Sequence, residues 1–100
     1  MTAPSSTQTV TVKLSASLRA AAGVKEIHVP WVPAMNVRDL LHTLSAGNPA
    51  LADRLLDSDQ GLNKGMQVLV NGRHIDFLSG LDTPVQATDS VMLIPPVGGG

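Results

Sequence analysis

From Thr9 onward apolar side chains recur at every second position. Val10, Val12, Leu14, Ala16 and Leu18 fall on one face, and Thr9, Thr11, Lys13 and Ser15 fall on the other. A period of two predicts a strand with one buried face. Gly23 marks a short turn, and Ile27 and Val29 predict a second strand ended by Pro30, so the two strands read as a hairpin. The period then changes. Val37, Leu40, Leu41 and Leu44 stand at i, i+3, i+4 and i+7, the apolar stripe of a helix. Asn36 suits its N-cap, Asp39 its first turn, and Gly47 and Pro49 its end. A shorter helical stretch follows from Pro49 to Leu56, with Leu51 and Leu55 on one side, and residues 57–65 read as a loop.

Met66–Val70 is a nearly continuous apolar run that suits a central strand. Asn71-Gly72 predicts a tight type I′ turn, because both positions tolerate positive φ. Ile75 and Phe77 then predict a short returning strand, Ser79-Gly80 and Asp82-Thr83-Pro84 supply turns, and Val91–Ile94 forms the last strand before Pro95-Pro96. The order is β-β-α-α-β-β-β, which predicts an α+β fold with a mixed sheet packed on one main helix. With the first and last strands parallel at the centre it is the β-grasp arrangement. Residues 9–96 form that domain, between a flexible arm at 1–8 and a flexible tail at 97–100. The predicted core holds Leu40, Leu41, Leu44, Val68, Val70 and Leu93.

Composition narrows the picture. Of 100 residues 43% are apolar, yet only Trp31 and Phe77 are aromatic, so the core must be aliphatic. Seven cations meet eight anions. Residues 1–50 carry Lys13, Arg19, Lys25 and Arg38 against Glu26 and Asp39. Residues 51–100 carry Arg54, Lys64 and Arg73 against six aspartates. Neither half has a basic stripe, which argues against nucleic acid, and the acidic second half suits a basic partner surface. Cysteine is absent, so disulfides, thiolate metal sites and a cysteine nucleophile are excluded. A polar start without an apolar core is not a leader, and no apolar run approaches the length of about 18 residues that spans a bilayer. The expectation is a soluble cytoplasmic protein with no membrane partner.

Catalytic patterns are missing. His28, His42 and His74 lack the helical pairing of a zinc site and read as surface histidines. Asp57-Ser58-Asp59-Gln60-Gly61 has its glycine one position early for a calcium loop, and Val68 stands where the bidentate Glu belongs. Asp76 and Asp82 read as exposed loop residues. Trp31, between Pro30 and Pro33, reads as a lid on the core rather than a binding anchor. No phosphate-cradling or nucleophile-elbow motif occurs, and the chain is expected not to be an enzyme.

The last residues, Ile94-Pro-Pro-Val-Gly-Gly-Gly100, are unlike a dispensable polar end. The prolines terminate the strand and stiffen its exit. The four residues beyond them reach about 13 Å when extended. Glycines pass through a slot too narrow for any Cβ and leave the terminal carbonyl open to a nucleophile. Such a tail is a substrate that another enzyme's active site can grip.

Read with what precedes it, this tail has a family likeness. Val70-Asn-Gly72, Gly80-Leu-Asp-Thr83, Asp89-Ser-Val91 and Leu93-Ile-Pro-Pro-Val97 with terminal glycines resemble the second half of the MoaD/ThiS sulfur carriers, which are ubiquitin-like β-grasp proteins. The hairpin and Asn36–Leu40 are similar too, so the likeness covers about residues 9–100. It implies that an adenylating, E1-like enzyme uses ATP to activate the carboxylate of Gly100, or of Gly99 if the chain is trimmed. A donor then converts the adenylate to a thiocarboxylate. Gly98 and Gly99 would thread the partner's slot, and Val70, Phe77, Met92 and Val97 would line the partner interface. No cofactor is bound by the chain itself.

The implied acceptor is a biosynthetic enzyme such as a molybdopterin synthase large subunit or a sulfhydrylase, and length and the Phe77–Leu81 stretch favour a MoaD/CysO type over ThiS. Three terminal glycines replace the family's usual two, and Ala87-Thr88-Asp89 stands where relatives have Asp-Gly-Asp. The alternatives are a ubiquitin-like modifier joined to lysines through the same terminus and an inert β-grasp binding module.

Overall fold

The structure, a computed structural model, describes residues 8–57 and 61–96. β1 (Thr9–Leu14) shows the expected alternation, with Val10, Val12 and Leu14 buried. The strand stops there instead of running on to Leu18, and residues 16–22 form a helix, α1 (Ala16–Ala22). Leu14 and Leu18 are four apart, a spacing that satisfies both a strand and a helix, and the alanine-rich segment favours the helix. Leu18 is still buried, now from a helix. Gly23, at φ +79°, ends α1 in the left-handed conformation. β2 (Glu26–Pro30) then pairs antiparallel with β1, Val10 facing Val29 and Val12 facing Ile27. The hairpin is present, with a helix in its connection in place of the short turn.

α2 (Val37–Gly47) forms as its stripe predicts, burying Val37, Leu40, Leu41 and Leu44. Its start is a full capping box. The Asp39 amide donates to Asn36 Oδ1 at 2.9 Å, and the Asn36 amide donates to Asp39 Oδ2 at 3.2 Å. α3 (Pro49–Leu55) buries Leu51 and Leu55. The cover over the sheet is therefore shared: α2 is the longest helix, and α1 and α3 complete the layer.

β3 (Gln67–Val70) turns through Asn71 (φ +52°) and Gly72 (φ +82°) into β4 (Arg73–His74). These signs are those of the predicted I′ turn. The Asn71 side chain bonds Asp89 and the Ser90 amide, tying the turn to the start of β5 (Ser90–Ile94). The returning strand is shorter than expected, because Ile75–Phe77 is a 3₁₀ turn started by the Asp76 amide donating to His74 Nδ1. In a strand Ile75 and Phe77 would share a face. About three residues per turn sends them apart, with Ile75 buried and Phe77 82% exposed.

The sheet order is β2-β1-β5-β3-β4, with β1 and β5 parallel at its centre and all other pairs antiparallel. β3 lies one strand from the edge, and β5 is the central strand. All six predicted core residues are buried. Trp31 acts as the lid, half-buried against the core, with its indole N–H donating to the Val85 carbonyl at 2.7 Å. Among the described residues no helix is long and apolar enough to cross a membrane.

Candidate functional site

β5 leads from the centre of the sheet to the site. Its parallel bond to β1 and antiparallel bond to β3 hold Val91 and Leu93 completely buried, so the strand's end is rigidly placed. Ser15 adds a clasp: its hydroxyl donates to the Leu93 carbonyl at 3.2 Å. After Ile94 come Pro95 and Pro96. Pro96 packs over Gly65, where a Cβ would lie only 2.9 Å from Pro96 Cγ. A cavity of about 260 Å³ beside this contact is lined by Leu18, Arg54, Met66, Pro95 and Pro96 among others. Val97, Gly98, Gly99 and Gly100 lie outside the described residues.

The outer face of the sheet adjoins this exit. Residues paired across strands share a face. The register therefore sets Glu26, Lys13, Met92, Leu69 and His74 in one row on the side away from the helices. The row is polar at one end and apolar at the other. Over β2, His28 Nε2 lies 3.4 Å from Glu26 Oε2. Past Met92 and half-buried Leu69, the Phe77 ring stands edge-on to the His74 imidazole, with centroids 6.4 Å apart and planes at 85°. Met92 and Phe77 are exposed there.

Comparison with known proteins identifies the group. The ThiS family profile matches residues 12–100. The chain belongs to the ThiS family. Small archaeal modifier protein 3 of Haloferax volcanii is 34% identical over 89 residues, 89% of this chain and 96% of that protein. The crystal structure of SAMP1 from Haloferax volcanii matches with a TM-score of 0.81 at 33% identity, covering 92% of this chain and 99% of that one. A chain of the Amycolatopsis orientalis BexX/CysO complex matches with a TM-score of 0.75 at 25% identity, covering 91% and 99%. This is a ubiquitin-like sulfur carrier family, and the five-stranded mixed sheet is its β-grasp.

In this ThiS-family protein, the predicted interface residues divide. Phe77 and Met92 lie on the outer face, bridged by Leu69 and His74. Val70 does not join them. It is 7% exposed and, like Val68, points toward the helices, so the outer-facing residue of β3 is Leu69. An unbroken apolar run gives no hint of which positions face in. The pairing of Leu69 with Met92 decides it. Gly65, a glycine before a strand, reads as ordinary loop in the sequence, and its approach to Pro96 is visible only in the fold. The expected loop aspartates are exposed, and Asp82 pairs with Arg38 on α2. The described histidines, aspartates and Glu26 form no cluster able to hold a metal ion.

Proposed function

We propose that this protein is a sulfur carrier whose terminal glycine, Gly100, or Gly99 after trimming, is adenylated and converted to a thiocarboxylate. The observation that carries this reading is the extent of the family match. It covers residues 12–100, so the Pro-Pro-Val-Gly-Gly-Gly segment lies within the matched region. The chemistry agrees with the composition. A chain without cysteine can hold carried sulfur covalently only at its terminal carbonyl. The carboxylate attacks the α-phosphorus of ATP in the activating enzyme, and pyrophosphate leaves. A donor of sulfide sulfur then displaces AMP. The chain contributes no catalytic side chain. It presents the reacting carboxylate and a surface that docks, and the enzymes that load and unload it supply the catalysis in the cytoplasm.

The apolar end of the outer face supports a docking role, because Phe77 and Met92 are exposed where folding does not need them. Gly98 and Gly99 thread the partner's slot and Val97 continues the contact. The likeness to a chain of a BexX/CysO complex supports delivery to a biosynthetic partner of molybdopterin or cysteine type. A second reading is favoured by the modifier relatives: the same adenylate passes to a lysine amine, making an isopeptide bond.

Intact-mass analysis after incubation with the activating enzyme, ATP and sulfide separates these outcomes. The carrier reading predicts one oxygen replaced by sulfur on the last peptide. Sulfur located elsewhere, or no change with a competent enzyme, defeats it. Isopeptide adducts in lysate without free thiocarboxylate favour the modifier.

A further inference from the structure

Gly65 differs from the other described glycines with positive φ. At Gly23, Gly72 and Gly80 an added Cβ would meet nothing within 4 Å, so glycine there serves only its turn. At Gly65 (φ +85°) the same atom would lie 2.9 Å from Pro96 Cγ and 3.0 Å from Pro96 Cβ, closer than ordinary carbon contacts allow. The obstacle is a proline ring, closed onto its own backbone nitrogen. It cannot swing aside as a flexible side chain would, so relief at 65 requires the backbone at 96 to move.

The turn that carries Gly65 is fixed to the body. The Asn63 amide donates to the Leu55 carbonyl at 2.8 Å, and its side-chain amide donates to the carbonyls of Asp53 and Arg54. Lys64 and Met66 amides close onto Asn63, and Met66 is buried. One side of the contact is therefore bolted to the end of α3. The other side is two prolines that leave the central strand stiffly.

We infer that Gly65 is a positioning residue for the C-terminus: its missing side chain makes the seat on which Pro96 rests, and that seat sets the direction in which the chain leaves Pro96. The consequence for activation rests on the sulfur-carrier reading, whereas the seat does not. A displacement at Pro96 is carried outward by a stiff pair of prolines, and a reacting group misplaced by about 1 Å can lose up to about 100-fold in rate. Gly65 precedes β3 and is not one of the outer-face row residues, so the expected effect falls on the rate of activation rather than on docking of the body.

The test uses Gly65→Asn, since asparagine accepts positive φ and carries the obstructing Cβ. ATP–pyrophosphate exchange with the activating enzyme should show kcat lowered about tenfold or more, with KM within about twofold. In the Pro96→Gly background, where the ring is gone, Gly65→Asn should change kcat by less than about twofold. Equal losses in both backgrounds would mean a strained turn and overturn the inference, as would an unchanged kcat. A second measurement needs neither activity nor the variant. Nuclear Overhauser effects between Gly65 Hα and the Pro96 ring protons are expected in the unaltered protein, and their absence removes the seat. If the unaltered protein shows no exchange with a competent enzyme, the carrier reading fails, and the proton contacts still decide the seat.

Discussion

The sheet's two faces follow different rules. Toward the helices, Val10, Val12, Leu14, Val68, Val91 and Leu93 are nearly inaccessible, and every one is aliphatic. Removal of that apolar area from water explains this face, at roughly 1.5–3 kcal/mol for each fully buried side chain. The opposite face divides in two. Glu26, His28, Thr11 and Lys13 cover β2 and β1 with polar groups, whereas Met92, Leu69 and Phe77 make the other end apolar. Phe77 is 82% exposed, so folding gains little from it. The inner face shows what the fold requires. The apolar half of the outer face shows what the fold tolerates without burying it, and it includes Met92 on the strand that leads to the terminal segment.

Breaking the inner face should have the largest effect. Leu41→Ala removes a fully buried side chain and should cost about 2–5 kcal/mol in urea unfolding. A loss below about 1 kcal/mol would mean that α2 is not the core's cover. Next comes Phe77→Asp. Stability should stay within about 0.5 kcal/mol, while affinity for the activating enzyme falls about tenfold or more by titration calorimetry. Unchanged affinity would show that the apolar end is not the docking surface.

A smaller effect concerns the start of α2. Asn36→Ala removes the acceptor for the Asp39 amide and should lower stability by about 1 kcal/mol, read as a shift of the urea midpoint. Smallest of all is Lys13→Ala, in the polar half of the outer face. It should change stability by less than about 0.5 kcal/mol and leave binding of the activating enzyme within about twofold. A loss as large as that of Phe77→Asp would erase the division between the two halves.

Local chemistry made much of this legible. The α2 stripe, the Asn36 and Asp39 pair and the Asn71-Gly72 turn each carry their own signal, and each formed as read. Failures arose where one pattern fits two periods. Leu14 and Leu18 suit strand and helix alike, so α1 was hidden in an apparent strand. Ile75 and Phe77 look like strand positions until the His74 side chain captures the Asp76 amide. The predicted surface residues come together only in part: Phe77 and Met92 are exposed, whereas Val70 is buried and Leu69 faces outward in its place, because inward and outward positions in β3 depend on pairing with β5. Gly65 depends on Pro96, 31 positions later in the chain, and no local pattern joins them.

On the proposed sulfur-carrier function, residues 9–96 hold and aim a reacting end that contributes little to their stability. Deleting Gly99 and Gly100 and measuring two quantities on one sample tests it most directly. Glycine has no side chain to bury, so the urea midpoint should be unchanged within error. Conversion to thiocarboxylate by the activating enzyme, ATP and sulfide should disappear from the intact-mass spectrum. Normal conversion of the shortened protein would contradict the claim, whatever its stability.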